Sequence, residues 1–172
     1  MPHPAVLDES ELLKQCEVRR QRRSGPGGQH RNKVETAIFI EHMPTGVTAE
    51  ACERRSQQAN RQQAIFRLRV NLAMNVRSEV SNREVAEDAS ASELWRSRCR
   101  GGKISINAEH TYFPALLAEA LDRIHAREWD VKSAADGLGC STSQLVKLLR
   151  KEPRAITLVN QERRKRDLAP LK

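Results

Sequence analysis

Aromatic side chains are scarce in this chain: Phe, Trp and Tyr make up 3% of its 172 residues. A platform that stacks several bases in turn needs more rings, although one ring suffices for one base. Cysteine is sparse and scattered. Cys16, Cys52, Cys99 and Cys140 form no C-x-x-C pair, and none has a histidine at ligand spacing. No metal is therefore expected, and free thiols in a reducing compartment are. No apolar run approaches a membrane span, and the first residues lack the basic flank and apolar stretch of a signal peptide. A cytoplasmic protein with no membrane partner is the expectation. The glycines fit neither G-x-x-x-x-G-K-[ST] nor G-x-G-x-x-G, which argues against a nucleotide site, and no cofactor is expected. No Ser/His/Asp arrangement can be assembled, and no internal repeat is visible.

Positive charge is abundant. Lys and Arg number 30 against 22 Asp and Glu, a formal net charge of +8. Such a balance points to nucleic acid or another polyanion. The excess is uneven: 13 basic against 8 acidic residues over 1–77, 5 against 6 over 78–110, and 12 against 8 over 111–172. Two basic segments flank a near-neutral middle.

The densest feature is Ser24-Gly25-Pro26-Gly27-Gly28-Gln29-His30-Arg31-Asn32-Lys33. Three glycines and a proline within four positions prevent a regular helix or strand. Arg19, Arg20, Arg22 and Arg23 precede the loop, and Arg31 and Lys33 follow within it. A nearly bare backbone thus carries one amide side chain, Gln29, in a positive field. That suits close approach to a polyanion; a tolerant surface loop would explain the glycines but not their company. The six cations are candidate RNA-phosphate contacts, against the plainer reading of a solvated charged strand.

The pattern predicts an α+β protein. Asp8 with Glu11 suggests a capping-box variant opening a short helix. Cys16 to Arg19 alternates as a strand entering the loop. Ala37 to Ile40 is strand-like, Met43-Pro44-Thr45-Gly46 is a turn, and Val47, Ala49 and Ala51 alternate as a returning strand. Ile65, Leu68, Leu72, Val76 and Val80 form one helical stripe, with Arg61, Arg67, Arg69 and Arg77 off it and free to face solvent or phosphate. A first domain over 8–80 follows. Residues 81–110 read as a linker or irregular stretch, with a helical turn or two from Ser92 stopped by Gly101-Gly102 and a short strand or extended run at Lys103–Ile106. A helical module over 111–172 closes the chain: Leu116, Leu117, Ala120, Leu121 and Ile124; then Val131, Ala134, Ala135 and Leu138, capped by Asp130 and ended at Gly139; then a Ser141/Gln144 capping box before Leu145, Leu148 and Leu149; then a helix from Pro153. Arg163, Arg164, Lys165 and Arg166 form a basic, exposed tail and a further candidate RNA contact.

Arg23 to His30 followed by Asn32-Lys33, then Pro44-Thr45-Gly46, then Arg55-Ser56-Gln57 and Asn60 with Ala64 and Leu68, closely resembles the catalytic domain of class I peptide chain release factors. The resemblance covers roughly residues 12–77. It implies hydrolysis of the peptidyl-tRNA ester within the ribosomal peptidyl-transferase centre. Gly27 and Gly28 would let the loop reach the transfer RNA end. Gln29 would help place the attacking water, and its backbone N–H would stabilise the oxyanion or the departing ribose oxygen. Ribosomal RNA shares the positioning. His30, beside Gln29, is a conceivable general base, but no acidic partner at fixed spacing orients it. Gln29 is also a candidate substrate for a methyltransferase, as in members of that family. A monomer is expected.

The family's longer members carry a stop-codon-reading domain with a tripeptide motif, for which this sequence offers neither room nor match. The chain resembles the short, codon-independent relatives that rescue stalled ribosomes. Its C-terminal Ala134-Ala135-x-x-Leu138-Gly139-x-Ser141, followed by Leu145, Leu148 and Leu149, resembles a helix-turn-helix, with Ser141, Thr142, Ser143, Gln144 and Lys147 at the exposed start of the second helix. A small helical bundle using the same turn competes with that reading. Two other functions stay open: a DNA-binding regulator that has lost catalysis, and an RNA-binding protein without chemistry.

Overall fold

In the computed structural model the residues described are 2–21, 36–78 and 91–172. They divide into two compact units, within Pro2–Val76 and within Arg77–Lys172.

The first unit is built on a three-stranded antiparallel meander. Strands β1 (Cys16–Gln21), β2 (Ala37–His42) and β3 (Val47–Ala51) lie in the order β1-β2-β3. Cys16 pairs with His42 and Gln21 with Ala37; Ile38 pairs with Ala51 and Ile40 with Ala49. Alternation therefore sends Ile38, Ile40, Ala49 and Ala51 to one face, and all four are buried. Helix α2 (Gln57–Asn75) covers that face. Ser56 caps it, its Oγ accepting from the Ala59 N–H at 3.3 Å. The expected stripe is present as Ile65, Leu68 and Leu72, all buried, joined by Asn60 and Ala64. Val76 ends the helix in extended backbone rather than continuing it, and Val80 lies outside the described residues.

The β2–β3 turn closes as Pro44-Thr45-Gly46 suggests. Gly46 adopts φ +68° and its N–H donates to the His42 carbonyl at 2.8 Å. A 3₁₀ turn at Pro4–Val6 and helix α1 (Glu9–Lys14) complete the unit. Asp8 stands at the N-cap but makes no side-chain capping bond, contrary to the capping-box expectation; burial of Leu12 holds this helix of six residues. His3 caps the 3₁₀ turn by accepting from the Ala5 N–H at 3.0 Å, which leaves its other ring nitrogen to donate to the Val76 carbonyl at 3.1 Å.

The second unit is mainly helical. Helix α3 (Glu93–Arg98) is followed by a two-stranded hairpin, β4 (Cys99–Arg100) and β5 (Lys103–Ile104). Then come α4 (Phe113–Ala126), α5 (Val131–Gly137), α6 (Thr142–Leu149) and α7 (Pro153–Arg164). Within the interval 81–110, expected as a linker or irregular stretch, the helical turn or two expected from Ser92 is α3, with Ser92 at its N-cap, and the short strand expected from Lys103 is β5. Two features hold this part of the chain. Trp95 is 1% exposed and its indole N–H donates to the Leu138 carbonyl at 2.9 Å. Gly101 and Gly102, at φ +55° and +74°, make the two-residue turn whose twist suits a tight hairpin.

Leu116, Leu117, Ala120, Leu121 and Ile124 of α4 are all fully buried against the shorter helices, as their spacing predicts. Asp130 caps α5, accepting from the N–H groups of Lys132 and Ser133. Leu138 to Ser141 form the turn into α6, with Gly139 at φ +66°. Ser141 caps α6 through the Gln144 N–H at 3.3 Å. The Gln144 side chain serves the hairpin, its Oε1 accepting from the Ile104 N–H at 3.3 Å. Half of the expected capping box is therefore redirected.

Candidate active site

Gly27, Gly28 and Gln29 lie outside the described residues, as do His30 and the cations Arg22, Arg23, Arg31 and Lys33. The frame that flanks that stretch is described. Gln21, the last described residue before that stretch, and Ala37, just after it, are direct cross-strand partners.

Asn60 closes this base. It is fully buried on the first turn of α2. Its Nδ2 donates to the Thr36 carbonyl at 2.7 Å and to the Arg54 carbonyl at 2.9 Å, and its Oδ1 accepts from the Arg54 N–H at 2.9 Å. One amide thereby ties Thr36 to the β3–α2 connection and to the helix. A buried amide is costly unless its groups are paired, and here both donors and the acceptor are used. The sequence alone marks Asn60 only as part of a matched block; its anchoring role depends on Thr36 coming near in space.

The two cations described on β1 are differently placed. Arg19 is on the outer face, cross-strand from Phe39. It is engaged by Glu17, at 2.8 Å from Nε and 2.7 Å from Nη2, and this pairing holds the Glu17 carboxyl below its usual range. Arg20 lies cross-strand from Ile38, on the face that α2 covers, and is exposed. The two neighbours do not form one patch.

Further basic residues free by their spacing to face solvent or phosphate are engaged by protein groups. Arg69 donates to the Leu7 carbonyl at 2.6 Å, and burial holds its guanidinium below the usual value. Arg67 donates to the Glu50 carbonyl at 2.8 Å and pairs with Glu53 at 2.7 Å. In the other unit Arg77 stands 3.6 Å from the buried Asp122. The periodicity places these side chains off the apolar stripe but does not reveal the carbonyls and carboxylates waiting there.

The basic cluster at the end of α7 is less free than a tail. Arg163 donates to the carbonyls of Trp129 (2.6 Å) and Ala169 (2.8 Å). Lys165 and Arg166 both pair with Glu162, at 2.6 and 2.9 Å, and draw its carboxyl downward. Arg166 also lies 5.7 Å from the Trp129 ring centroid. Asn160 exchanges two hydrogen bonds with Leu171, so the residues beyond α7 fold back along it. Arg164 and Lys165 are the exposed members of the four without a backbone tie.

His42 shows how the sheet supports this frame. It is 1% exposed, with Thr45 Oγ1 2.7 Å from Nδ1 and Gln15 Oε1 3.0 Å from Nε2. A neutral ring satisfies both, accepting from the hydroxyl and donating to the amide oxygen, and burial pulls its pKa down. Among the described residues no group of three or more His, Cys, Asp or Glu side chains could hold a metal, and no helix is long and apolar enough to cross a membrane.

A family model described as the RF-1 domain matches residues 10–107, more than half of the chain. Curated relatives include peptide chain release factor 1 of Xylella fastidiosa (strain 9a5c), 51% identical over 63 residues, 37% of this chain and 18% of that protein. The chloroplastic peptide chain release factor PrfB1 of Arabidopsis thaliana is 34% identical over 118 residues, 67% of this chain and 24% of that one. Peptide chain release factor 2 of Proteus mirabilis (strain HI4320) is 36% identical over 80 residues, 46% and 22% of the two chains. The matches thus span about a fifth to a quarter of those relatives' own length.

Proposed function

The chain belongs to the class I peptide chain release factor family, and from that premise we propose that it hydrolyses the peptidyl-tRNA ester within the ribosome, as a codon-independent rescuer of stalled translation. The observation that carries the proposal is the coincidence of two facts. The family match includes the Gly27-Gly28-Gln29 stretch. The described residues flanking that stretch, Gln21 and Ala37, are cross-strand partners, and the buried Asn60 binds the Thr36 carbonyl beside Ala37.

The chemistry follows from the residue types. Water attacks the ester carbonyl carbon, a tetrahedral oxyanion forms, and the ribose oxygen leaves with a proton. Gln29 would orient the water through its side-chain amide and donate its backbone N–H to developing negative charge. Gly27 and Gly28 free the backbone to bring Gln29 there. Arg19, Arg20, Arg22, Arg23, Arg31 and Lys33 would neutralise RNA phosphates around that approach, as Arg164 and Lys165 would at the far end of the chain. The partners would be ribosomal RNA, peptidyl-tRNA and a methyltransferase acting on Gln29, and the protein would act as a cytoplasmic monomer. The helical unit supports the codon-independent reading, since its basic, helix-turn-helix-like surface offers an attachment that needs no codon.

The test is release of labelled peptide from ribosomes halted at the end of a truncated messenger RNA, set beside ribosomes holding a stop codon in the decoding site. Release from the truncated complex at a rate equal to or above that on the stop-codon complex is expected. Release only on the stop codon would overturn the rescue assignment, and release on neither would overturn the hydrolase.

A further inference from the structure

The β4–β5 hairpin carries two opposed cations. Arg100 and Lys103 are direct cross-strand partners on either side of the Gly101-Gly102 turn, and both are exposed. Like charges directly opposite on a hairpin disfavour it. Among the described residues neither is in an ion pair. This differs from the end of α7, where Glu162 compensates Lys165 and Arg166.

The hairpin is also held rigidly. Besides the Trp95 bond to Leu138, the Cys99 thiol donates to the Gly139 carbonyl at 3.7 Å, and the Ile104 N–H donates to Gln144 Oε1 at 3.3 Å. Cys99 and Ile104 are cross-strand partners facing the α5–α6 turn, so alternation sets Arg100 and Lys103 on the opposite side. An uncompensated pair of cations, fixed to the helix-turn-helix and presented outward, is suited to a ligand of closely spaced negative charges.

We propose that the hairpin tip, Arg100 and Lys103, is the RNA-phosphate contact of the helical unit. The preference for RNA over other polyanions rests on the ribosomal reading above; the contact itself rests on the hairpin. The cations replace counterions along the RNA backbone, so binding weakens steeply with salt. The cross-strand repulsion is relieved when phosphates lie over the tip.

The experiment is fluorescence anisotropy with a short labelled RNA duplex across a KCl titration, on the full chain and on Arg100→Ala/Lys103→Ala. A Lys132→Ala/Lys151→Ala variant loses the same charge from two other exposed positions of the unit. The hairpin variant is expected to bind roughly tenfold more weakly at moderate salt, with a salt slope shallower by about two. Its thermal midpoint is expected to be no lower than wild type, because the opposed charges are gone. The Lys132/Lys151 variant is expected to keep nearly the wild-type slope. Equal losses in the two variants would reduce the effect to net charge and overturn the proposal, as would an unchanged slope in the hairpin variant. Tighter binding to a DNA duplex of the same sequence would overturn the choice of RNA. No release activity is measured, so failure here leaves the hydrolase reading untouched.

Discussion

Asn60 is the residue whose loss would say most about the loop's base. Its amide is fully buried and satisfied by three backbone groups, two on Arg54 and one on Thr36. Asn60→Ala removes all three bonds and is expected to cost on the order of 2 kcal/mol, read as a lower urea midpoint. Asn60→Asp puts a carboxylate against two carbonyl oxygens and is expected to cost more at neutral pH than near pH 4; a midpoint that does not move with pH would contradict that account. His42 makes a second prediction. Its folded pKa lies below the ordinary value of about 6.5 because burial disfavours the charged ring. A depressed pKa means that the unfolded chain takes up the proton first. The contribution is therefore full above about pH 6.5 and is lost as pH falls through the folded value. Between about pH 8 and pH 5 the wild-type urea midpoint should fall further than that of His42→Gln. Equal falls would place the sensitivity elsewhere.

At the scale of elements, the regular segments were readable because burial imposes a period. Ile65, Leu68 and Leu72 recur on α2, Leu116 to Ile124 on α4, and the turn signal at Pro44 to Gly46 marks the hairpin. What stayed hidden depends on contacts distant in sequence. Trp95 is one aromatic in a short polar stretch until the Leu138 carbonyl is placed beside its indole. Arg69 and Arg163 look like solvent-facing cations until Leu7 and Trp129 offer them carbonyls. The loop residues themselves were legible only as composition and as a resemblance, since glycines declare freedom and not a path. Helix α7 gives a direct comparison. Arg163→Ala should lower stability by about 1 kcal/mol or more, because it strips a charged donor from the Trp129 carbonyl; Arg164→Ala should change it by less than about 0.5 kcal/mol. Thermal unfolding of the two variants decides, and equal midpoints would mean the Arg163 bonds contribute nothing. The contrast matters for RNA binding too. A loss on replacing all four of Arg163, Arg164, Lys165 and Arg166 mixes folding with contact, whereas Arg164→Ala with Lys165→Ala isolates contact.

For the molecule as a whole, the account joins two units with different work. The unit Pro2–Val76 carries the three-stranded sheet and helix α2, and Arg77–Lys172 carries the shorter helices and the cationic hairpin. Division of labour requires that catalysis and attachment be separable by mutation. The measurement that tests the central claim is single-turnover peptide release from stalled ribosomes at saturating protein, comparing wild type with Gln29→Ala and Gly28→Ala, with ribosome binding measured in parallel. The account predicts that both variants bind as wild type does and release peptide slower by on the order of a hundredfold or more. Wild-type release rates in both variants would contradict it.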